Sequence, residues 1–433
     1  MNPHFPVWLL LLFLTNNLQA QFIELSSMPE KVSNNAVIAA EVNGKPYVYS
    51  FCGIDSTKTW SGIHLKAWRY DVEADQWESL PDVPDPNGGK IAASANLVNG
   101  KIYLVGGYHV AANLSETSSD KVHVFDPSTN SWLPDAAPIP VAIDDQVQAV
   151  WRDSLIFVVT GWSNTTNVAD VQVFNPATNE WSAGTSVPNQ NDYKVFGGAG
   201  VVIDDTIYYA GGARFGINFP ATTVFRKGII NPDNPLEIEW SKETLATARG
   251  YRMAAVVHDR KGVWLGGSDV TYNFNGIAYN GSGGVSPLDR ITVFDPSINS
   301  LFQNFGRMPA VMDLRGAAQV NENEVIIAGG MALGQQVTNQ VWSIQLDNLT
   351  GVESETQEWE QFLVFPNPAD QELTIERKGD FELEMSTNSG SLLFYKTATD
   401  KITLPIGNLA PGIYWLDLVS ATGLRTTEQV VIH

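Results

Sequence analysis

The 433-residue sequence lacks several features that define large classes of protein. A single cysteine, Cys52, rules out an intramolecular disulfide. There are only 26 basic side chains against 47 acidic ones, and the resulting net charge of −21 disfavours nucleic acid and anionic membrane surfaces as partners. The N-terminal apolar run, Val7 to Leu14, has eight residues, too few to span a bilayer. The sequence therefore predicts an acidic protein with no nucleic-acid partner and no transmembrane segment.

Recognisable catalytic motifs are also missing. There is no H-E-x-x-H helix, no nucleophile elbow and no glycine loop of the kind that cradles phosphate. No cofactor, metal site or catalytic residue is predicted, and whether the protein is an enzyme stays open. The histidines show no spacing typical of metal ligands; they are His4, His64, His109, His123, His258 and His433.

The N-terminus has the pattern of a secretory signal. The run from Val7 to Leu14 has the length of a signal-peptide core, and Leu18-Gln19-Ala20 offers a cleavage site. We expect residues 1–20 to be removed, which leaves Gln21 as the new N-terminus.

A repeated unit organises most of the chain, and the stretch from Asn99 to Trp132 shows it best. Asn99-Gly100 suits a tight hairpin turn, Lys101 to Val105 reads as a strand, and Gly106-Gly107 ends that strand. A further strand and a tryptophan follow. The corresponding glycines recur about every 50 residues, at Gly53, Gly107, Gly161, Gly212, Gly267 and Gly330.

Paired glycines at this period, each followed by an aromatic residue, resemble the kelch repeat. The resemblance covers roughly residues 22–347 and implies an all-β fold in which each repeat is one four-stranded propeller blade. In the fourth repeat, the segment between Phe225 and Trp240 is longer than in the others and predicts an extended rim connection. We predict six blades over residues 21–347.

The beginning of the mature chain predicts how the propeller closes. FIELSSMP at 22–29 matches FQNFGRMP at 302–309, an outermost strand, whereas the sixth repeat ends after its third strand. The N-terminal strand is therefore expected to complete the last blade and cover its edge, with Phe22, Leu25 and Met28 buried there.

A second module follows an acidic linker, residues 348–361. Phe365-Pro-Asn-Pro-Ala369, alternating apolar residues and Pro411-Gly-Ile-Tyr414 predict a small β-sandwich. Residues 362–433 resemble the C-terminal sorting domain of the bacterial type IX secretion system. This resemblance implies handling by that machinery, and a protein that is secreted or anchored at the outer-membrane surface.

Candidate binding residues lie in the loops expected at one mouth of the channel. Charged and amide groups precede the first strands, and aromatic groups follow the glycines, a combination that suits sugar stacking or a peptide anchor. Alignment of Ala254 with Ala317 places Arg252 and Arg315 at equivalent positions. An alternative role for these arginines is to tie blades together. The candidates are Lys194, Arg249, Arg252, Arg315, Gln146, Trp60, Tyr108, Trp162, Phe215 and Tyr272.

Three functions remain open on this basis. The first is a non-catalytic binding or adhesion module for glycans or proteins. The second is a carbohydrate-active enzyme resembling N-acetylneuraminate mutarotase, which would need a carboxylate near an arginine. The third is a structural surface protein. Galactose oxidase resembles the chain only in its blades, because the sequence lacks the set of copper ligands that enzyme needs.

Overall fold

The computed structural model describes residues 22–347, 362–387, 392–420 and 425–433. The chain divides into two compact units, Met1–Gly351 and Val352–His433. The predicted signal peptide, residues 1–20, and the predicted linker, residues 348–361, lie outside the described residues. No helix in the described ranges is long and apolar enough to cross a bilayer.

Residues 22–347 form antiparallel sheets of four main strands, six in this range, which we number as blades 1 to 6. The predicted all-β propeller fold is confirmed. From the innermost strand outwards, blade 1 contains Ala36–Val42, Lys45–Ile54, Ile63–Asp71 and Gln76–Leu80; blade 2 Ile91–Val98, Lys101–Val110, Val122–Asp126 and Ser131–Leu133; blade 3 Val147–Trp151, Leu155–Val159, Val171–Asn175 and Glu180–Ala183; blade 4 Ala199–Ile203, Thr206–Ala210, Val224–Asn231 and Asn234–Thr244; blade 5 Ala254–His258, Lys261–Leu265, Arg290–Asp295 and Ser300–Phe305; and blade 6 Ala318–Gln319, Glu324–Ala328, Val341–Gln345 and Phe22–Leu25.

Short elements decorate one end of the propeller. Glu116–Ser118 adds to blade 2, and three small ribbons pair Trp162–Ser163 with Thr166–Asn167, Val195–Phe196 with Ala213–Arg214, and Met331–Ala332 with Gln336–Val337. The 3-10 turns are Trp60–Gly62, Ala246–Ala248 and Leu333–Gln335. We call this end, which carries the loops after the glycines, the loop face. The opposite end carries the turns between first and second strands, and we call it the hairpin face.

The N-terminal strand closes the ring as expected. Phe22–Leu25 pairs antiparallel with Val341–Gln345, with Phe22 opposite Ile344. Met28 is buried, but Phe22 and Leu25 are only partly buried, so the predicted burial is wrong for these two residues. They lie on the outer strand of a blade, where one face remains open to solvent.

The glycine pairs allow each blade to approach the next. Their φ angles are positive, and a Cβ at Gly211 would lie 2.0 Å from the carbonyl oxygen of Gly250 in the following blade. The second glycine, Gly212, donates its N–H to that same oxygen at 2.7 Å. Gly267 and Gly330 donate in the same way to Val311 and Val32. The repeat therefore needs glycine at these positions because backbone meets backbone there.

The repeated tryptophans tie neighbouring blades together at the outside. The Nε1–H groups of Trp77, Trp132, Trp181 and Trp240 each donate to a backbone carbonyl of the preceding outer segment, at 2.8 to 2.9 Å. All four side chains are partly buried. Trp77, Trp132 and Trp181 also pack against the buried cores of the blades, so each contributes to a core and bridges two blades.

The long segment of blade 4 is a hairpin. Val224–Asn231 and Asn234–Thr244 pair along their length, with a register shift between Ile230 and Asn231. The predicted extended loop is therefore wrong: the additional residues lengthen two strands, because Ile230 and Ile238 are buried on one face of the ribbon.

The second unit has five strands: Leu363–Phe365, Glu372–Thr387, Leu392–Pro405, Gly412–Ser420 and Arg425–Ile432. Hydrogen bonds join them in one continuous sheet, in which the long second strand pairs with three others. Alternating residues of this strand, including Leu373, Ile375 and Leu383, enter a buried core with Leu416 and Val430. The second unit therefore has a hydrophobic core of its own.

Candidate functional site

A ring of residues in left-handed backbone conformation surrounds the axis at the loop face. Each blade contributes one, before or at the beginning of its innermost strand, with φ between +47° and +65°. The amide of Gly197 donates to the carbonyl of Asp145 at 2.7 Å, and the amide of Arg252 to Gly197 at 2.8 Å. At these turns the backbone of one blade is therefore hydrogen-bonded to the backbone of the neighbouring blade, close to the axis. The ring consists of Asn34, Ala92, Asp145, Gly197, Arg252 and Asp313.

Arg252 is the central group of this ring. Its Nε and Nη2 donate to the two carboxylate oxygens of Asp145 at 3.1 and 2.6 Å, and its Nη1 donates to Asp313 at 2.8 Å. Ser33 and Asn34 donate to the same Asp313 carboxylate, so blades 1, 3, 5 and 6 meet here. Arg252 is 1% exposed. Arg252 is therefore a buried brace between blades, which is the alternative role given above for these arginines, and it is not exposed to a ligand.

Arg315 is not equivalent to Arg252. The ring hydrogen bonds align Arg252 with Asp313, two residues before Arg315. The alignment through Ala254 and Ala317 fails because the backbone just before the first strand of blade 6 is irregular: Gly316 has a φ of +139°. Arg315 is 6% exposed and its Nη2 donates to Ser94 Oγ at 2.7 Å. It belongs to the wall of the channel.

Two predicted aromatic contacts, Tyr108 and Tyr272, are buried beside the brace. They are 4% and 0% exposed, and burial raises the pKa of both phenols well above the ordinary value. The Arg252 guanidinium lies 5.6 Å from the ring centroid of Tyr272 and 5.2 Å from that of Tyr251. These tyrosines cover the brace on its outer side and do not reach solvent as the sequence predicted.

The remaining candidates are exposed or partly buried. Trp60 and Phe215 are 43% and 45% exposed, and Arg249 is also exposed. Lys194 and Trp162 are partly buried. Trp162 packs edge-to-face on Phe196 and Phe219, at 5.5 Å between ring centroids in both cases, so an aromatic layer supports this part of the loop face.

Apolar exposure is concentrated on the loop face. Within residues 22–347, seven of the twelve large apolar side chains classed as exposed lie in loops that follow the glycines, and these loops belong to five blades. A typical soluble surface scatters such residues singly. The seven exposed side chains in the loops after the glycines are Trp60, Leu114, Phe215, Ile217, Val270, Ile277 and Leu333.

The central channel is a separate cavity of about 350 Å³. The innermost strands of all six blades line it, and Gln146 and Arg315 stand at its inner end, next to the ring. At the hairpin face its lining side chains, such as Val202 and Val257, are partly exposed. The channel therefore opens toward the hairpin face, and the buried brace separates it from the loop face.

A second buried charged cluster joins blades 1 and 2. Lys90 Nζ lies 2.6 Å from Asp85 Oδ2, and His123 lies between Asp85 and Asp135, at 3.1 and 2.8 Å. Burial opposes ionisation of Asp85, but the hydrogen bond from His123 and the charge of Lys90 outweigh it and lower its pKa. This cluster could not be predicted from the sequence, because its members come from three separate loops and strands. No group of three or more potential metal ligands occurs in the described ranges.

Comparisons with known proteins agree with both units. Residues 8–212 match the KLHDC2/KLHL20/DRC7 Kelch-repeats domain, and residues 363–433 match the secretion system C-terminal sorting domain. The chain thus combines kelch repeats with a sorting domain, as predicted. The fold of a solved structure titled "Structure of YjhT" is similar, with a TM-score of 0.59 and 16% identity over 75% of this chain and 97% of that one.

Curated relatives share the repeats at low identity. Kelch-like protein 36 of Bos taurus is 22% identical over 199 residues, which cover 46% of this chain and 30% of that protein. Kelch-like protein 23 of Homo sapiens is 25% identical over 257 residues, or 58% of this chain and 39% of that protein. The match spans less than half the length of these relatives, so the likeness concerns the repeat domain.

Proposed function

We propose that this is an exported binding module that engages a protein partner through the loop face of its propeller. The sorting domain at residues 363–433 supports export, to the cell surface or the medium. The observation that carries the binding role is the concentration of exposed apolar side chains in the loops after the glycines. Protein-binding surfaces are enriched in such aromatic and aliphatic anchors.

The geometry favours binding over sugar chemistry. A mutarotase-like mechanism needs a carboxylate and an arginine that both reach the substrate. Arg252 has two carboxylate partners, but Arg252, Asp145 and Asp313 are each at most 2% exposed. The exposed groups at this end are mainly apolar and spread over five blades, a spacing that suits an extended protein surface better than one sugar ring.

Loop-face variants test this role. Full-length wild-type protein and a Trp60→Ser/Phe215→Ser variant are immobilised and incubated with surface proteins of the producing bacterium, and bound proteins are quantified by mass spectrometry. We expect specific partners to be lost at least tenfold in the variant, because interface aromatic anchors each contribute about 2 kcal/mol or more. The melting temperature should change little, since both side chains are largely exposed.

Ile298→Ser is the matched control, because Ile298 is 56% exposed in a turn at the hairpin face. It should retain all partners. Equal binding by the wild-type protein and the loop-face variant would refute the assignment. Selective binding of glycans on an array, lost in the same variant, would instead assign the surface to sugars.

Export is tested by deleting residues 362–433. The propeller has its own cores and should remain folded, because the two units are compact by themselves. We expect the truncated protein to accumulate in the periplasm. Its appearance in the medium at the normal level would argue against sorting by this domain.

A further inference from the structure

The second unit exposes a large share of apolar side chains for its size. It carries six of the eighteen large apolar residues that are exposed in the described ranges, although it holds less than a fifth of the described residues. Exposed apolar patches mark interaction surfaces in soluble proteins. The six residues are Leu363, Phe365, Leu393, Tyr395, Ile413 and Trp415.

Four of the six lie on one face of the sheet. Tyr395 and Trp415 are on the two strands that flank the second half of Glu372–Thr387, where they lie opposite Glu384 and Ser386. The residue two positions before each aromatic shares its face, because side chains alternate along a strand, and the buried core lies on the other face. We call the exposed side the tail face. It comprises Glu382, Glu384, Leu393, Tyr395, Ile413 and Trp415.

The charge on the tail face has one sign. Glu382 and Glu384 are exposed and lie on the strand between those of Tyr395 and Trp415. A hydrogen bond with Glu382 raises the pKa of the Tyr395 hydroxyl. Among the side chains that the structure describes, no lysine or arginine belongs to this face. Carboxylates pair with lysine and arginine, and aromatic rings bind the same cations on their faces, so this surface favours a basic partner.

The other two exposed residues form a separate feature. Leu363 and Phe365 lie on the first strand of the unit, opposite residues 374–376 in the first half of the long strand. A register shift within the long strand separates this half from the tail face. Leu363 and Phe365 are 55% and 43% exposed, against 48% and 37% for Tyr395 and Trp415. The first pair is therefore a matched comparison for the second.

We propose that the tail face is the surface through which the secretion machinery recognises this domain, and that a basic segment of one of its components binds there. The match of residues 363–433 to a secretion system sorting domain makes that machinery the expected partner of a patch in this unit. Lysine or arginine side chains of the partner pair with Glu382 and Glu384 and pack on the rings of Tyr395 and Trp415. This inference rests on the export role proposed above, and adds to it the surface and the chemistry of the partner.

Export of the full-length chain is measured in the producing bacterium by quantitative immunoblotting of the propeller in the periplasm, on the cell surface and in the medium. Tyr395→Ser/Trp415→Ser should lower the exported fraction at least about tenfold, because aromatic anchors carry much of the binding energy of an interface. Leu363→Ser/Phe365→Ser removes two apolar side chains of similar exposure from the same unit and should be exported normally.

A charge reversal tests the basic partner without removing any apolar contact. Glu384→Lys should lower the exported fraction at least about threefold, through repulsion of the basic segment. Glu372→Lys makes the same change at another exposed position of the same strand and should have no effect. Exposed charges contribute little to stability, so both variants should fold. Limited proteolysis of the purified full-length variants checks that the second unit stays intact.

Normal export of both Tyr395→Ser/Trp415→Ser and Glu384→Lys would overturn the proposal. If deletion of residues 362–433 still blocked export in that case, the sorting role would stand and only the tail face would be refuted. Export after the deletion would instead refute the sorting role itself. Equal export of Glu384→Lys and Glu372→Lys would exclude a basic partner. Dimerisation of the purified wild-type chain that the aromatic variant abolishes, together with normal export of that variant, would assign the face to a second copy and overturn the proposal.

Discussion

Replacing Arg252 with methionine is the most informative perturbation of this fold. Methionine keeps much of the apolar volume but removes the three hydrogen bonds to Asp145 and Asp313. Both carboxylates are at most 2% exposed; Asp313 then has no counter-charge, and Asp145 retains only Arg315, whose Nη1 lies 3.6 Å away. Removing one partner of a buried ion pair typically costs about 3–5 kcal/mol, and here one cation serves two carboxylates. The free energy of unfolding should therefore fall by at least about 3 kcal/mol, a large part of the stability of a typical domain.

Urea unfolding followed by tryptophan fluorescence measures this loss. Arg260→Met is the matched control: Arg260 is 75% exposed in its pair with Asp204, and its loss should cost less than about 1 kcal/mol. Arg252→Met combined with Asp313→Asn should recover part of the stability, because Asp145 still has Arg315 as a partner and no uncompensated carboxylate remains. An Arg252→Met protein as stable as the wild type would refute the idea that this residue braces the blades.

Three further predictions concern closure, the glycine pairs and acid stability. Phe22→Ala should lower the free energy of unfolding by about 2 kcal/mol, a smaller loss than for a fully buried phenylalanine, whereas Glu24→Ala should have little effect. The amides of residues 22–25 should exchange slowly with solvent, because the strand is paired; fast exchange there would contradict the closure. Gly211→Ala should cost at least about 3 kcal/mol by chemical denaturation, because of its positive φ and its contact with backbone, whereas Gly100→Ala, with open space around it, should cost about 1 kcal/mol. Burial lowers the pKa of His64 to about 4, so as the pH falls below 6.5 the unfolded protein takes up a proton on this residue before the folded protein does. This histidine should therefore remove about 2 kcal/mol from the free energy of unfolding between pH 8 and pH 5. His64→Leu should reduce that pH dependence, and an unchanged pH profile in the variant would contradict the prediction.

The candidate site was only partly predictable from sequence. The loops that carry Trp60 and Phe215 follow from the glycine spacing, because a strand that ends in a glycine pair must turn at the loop face. Burial of Arg252 could not be predicted, since its partners Asp145 and Asp313 lie 107 and 61 residues away and meet it only when the ring closes. The equivalence of Arg252 and Arg315 failed because the irregular backbone at Gly316, just before the first strand of blade 6, shifts the alignment of that blade.

The sequence alone determined the repeat architecture, which depends on local backbone conformation. The period of the glycines, the hairpin turns and the outer-strand match at residues 22–29 specify a kelch propeller closed by its N-terminal strand, because each is a sequence pattern that recurs from blade to blade. The tertiary structure decided which side chains face solvent. A charged side chain near the axis can either pair across the ring or line the channel. Which of the two Arg252 and Arg315 do depends on where the carboxylates of other blades lie, and no local sequence pattern records that relation.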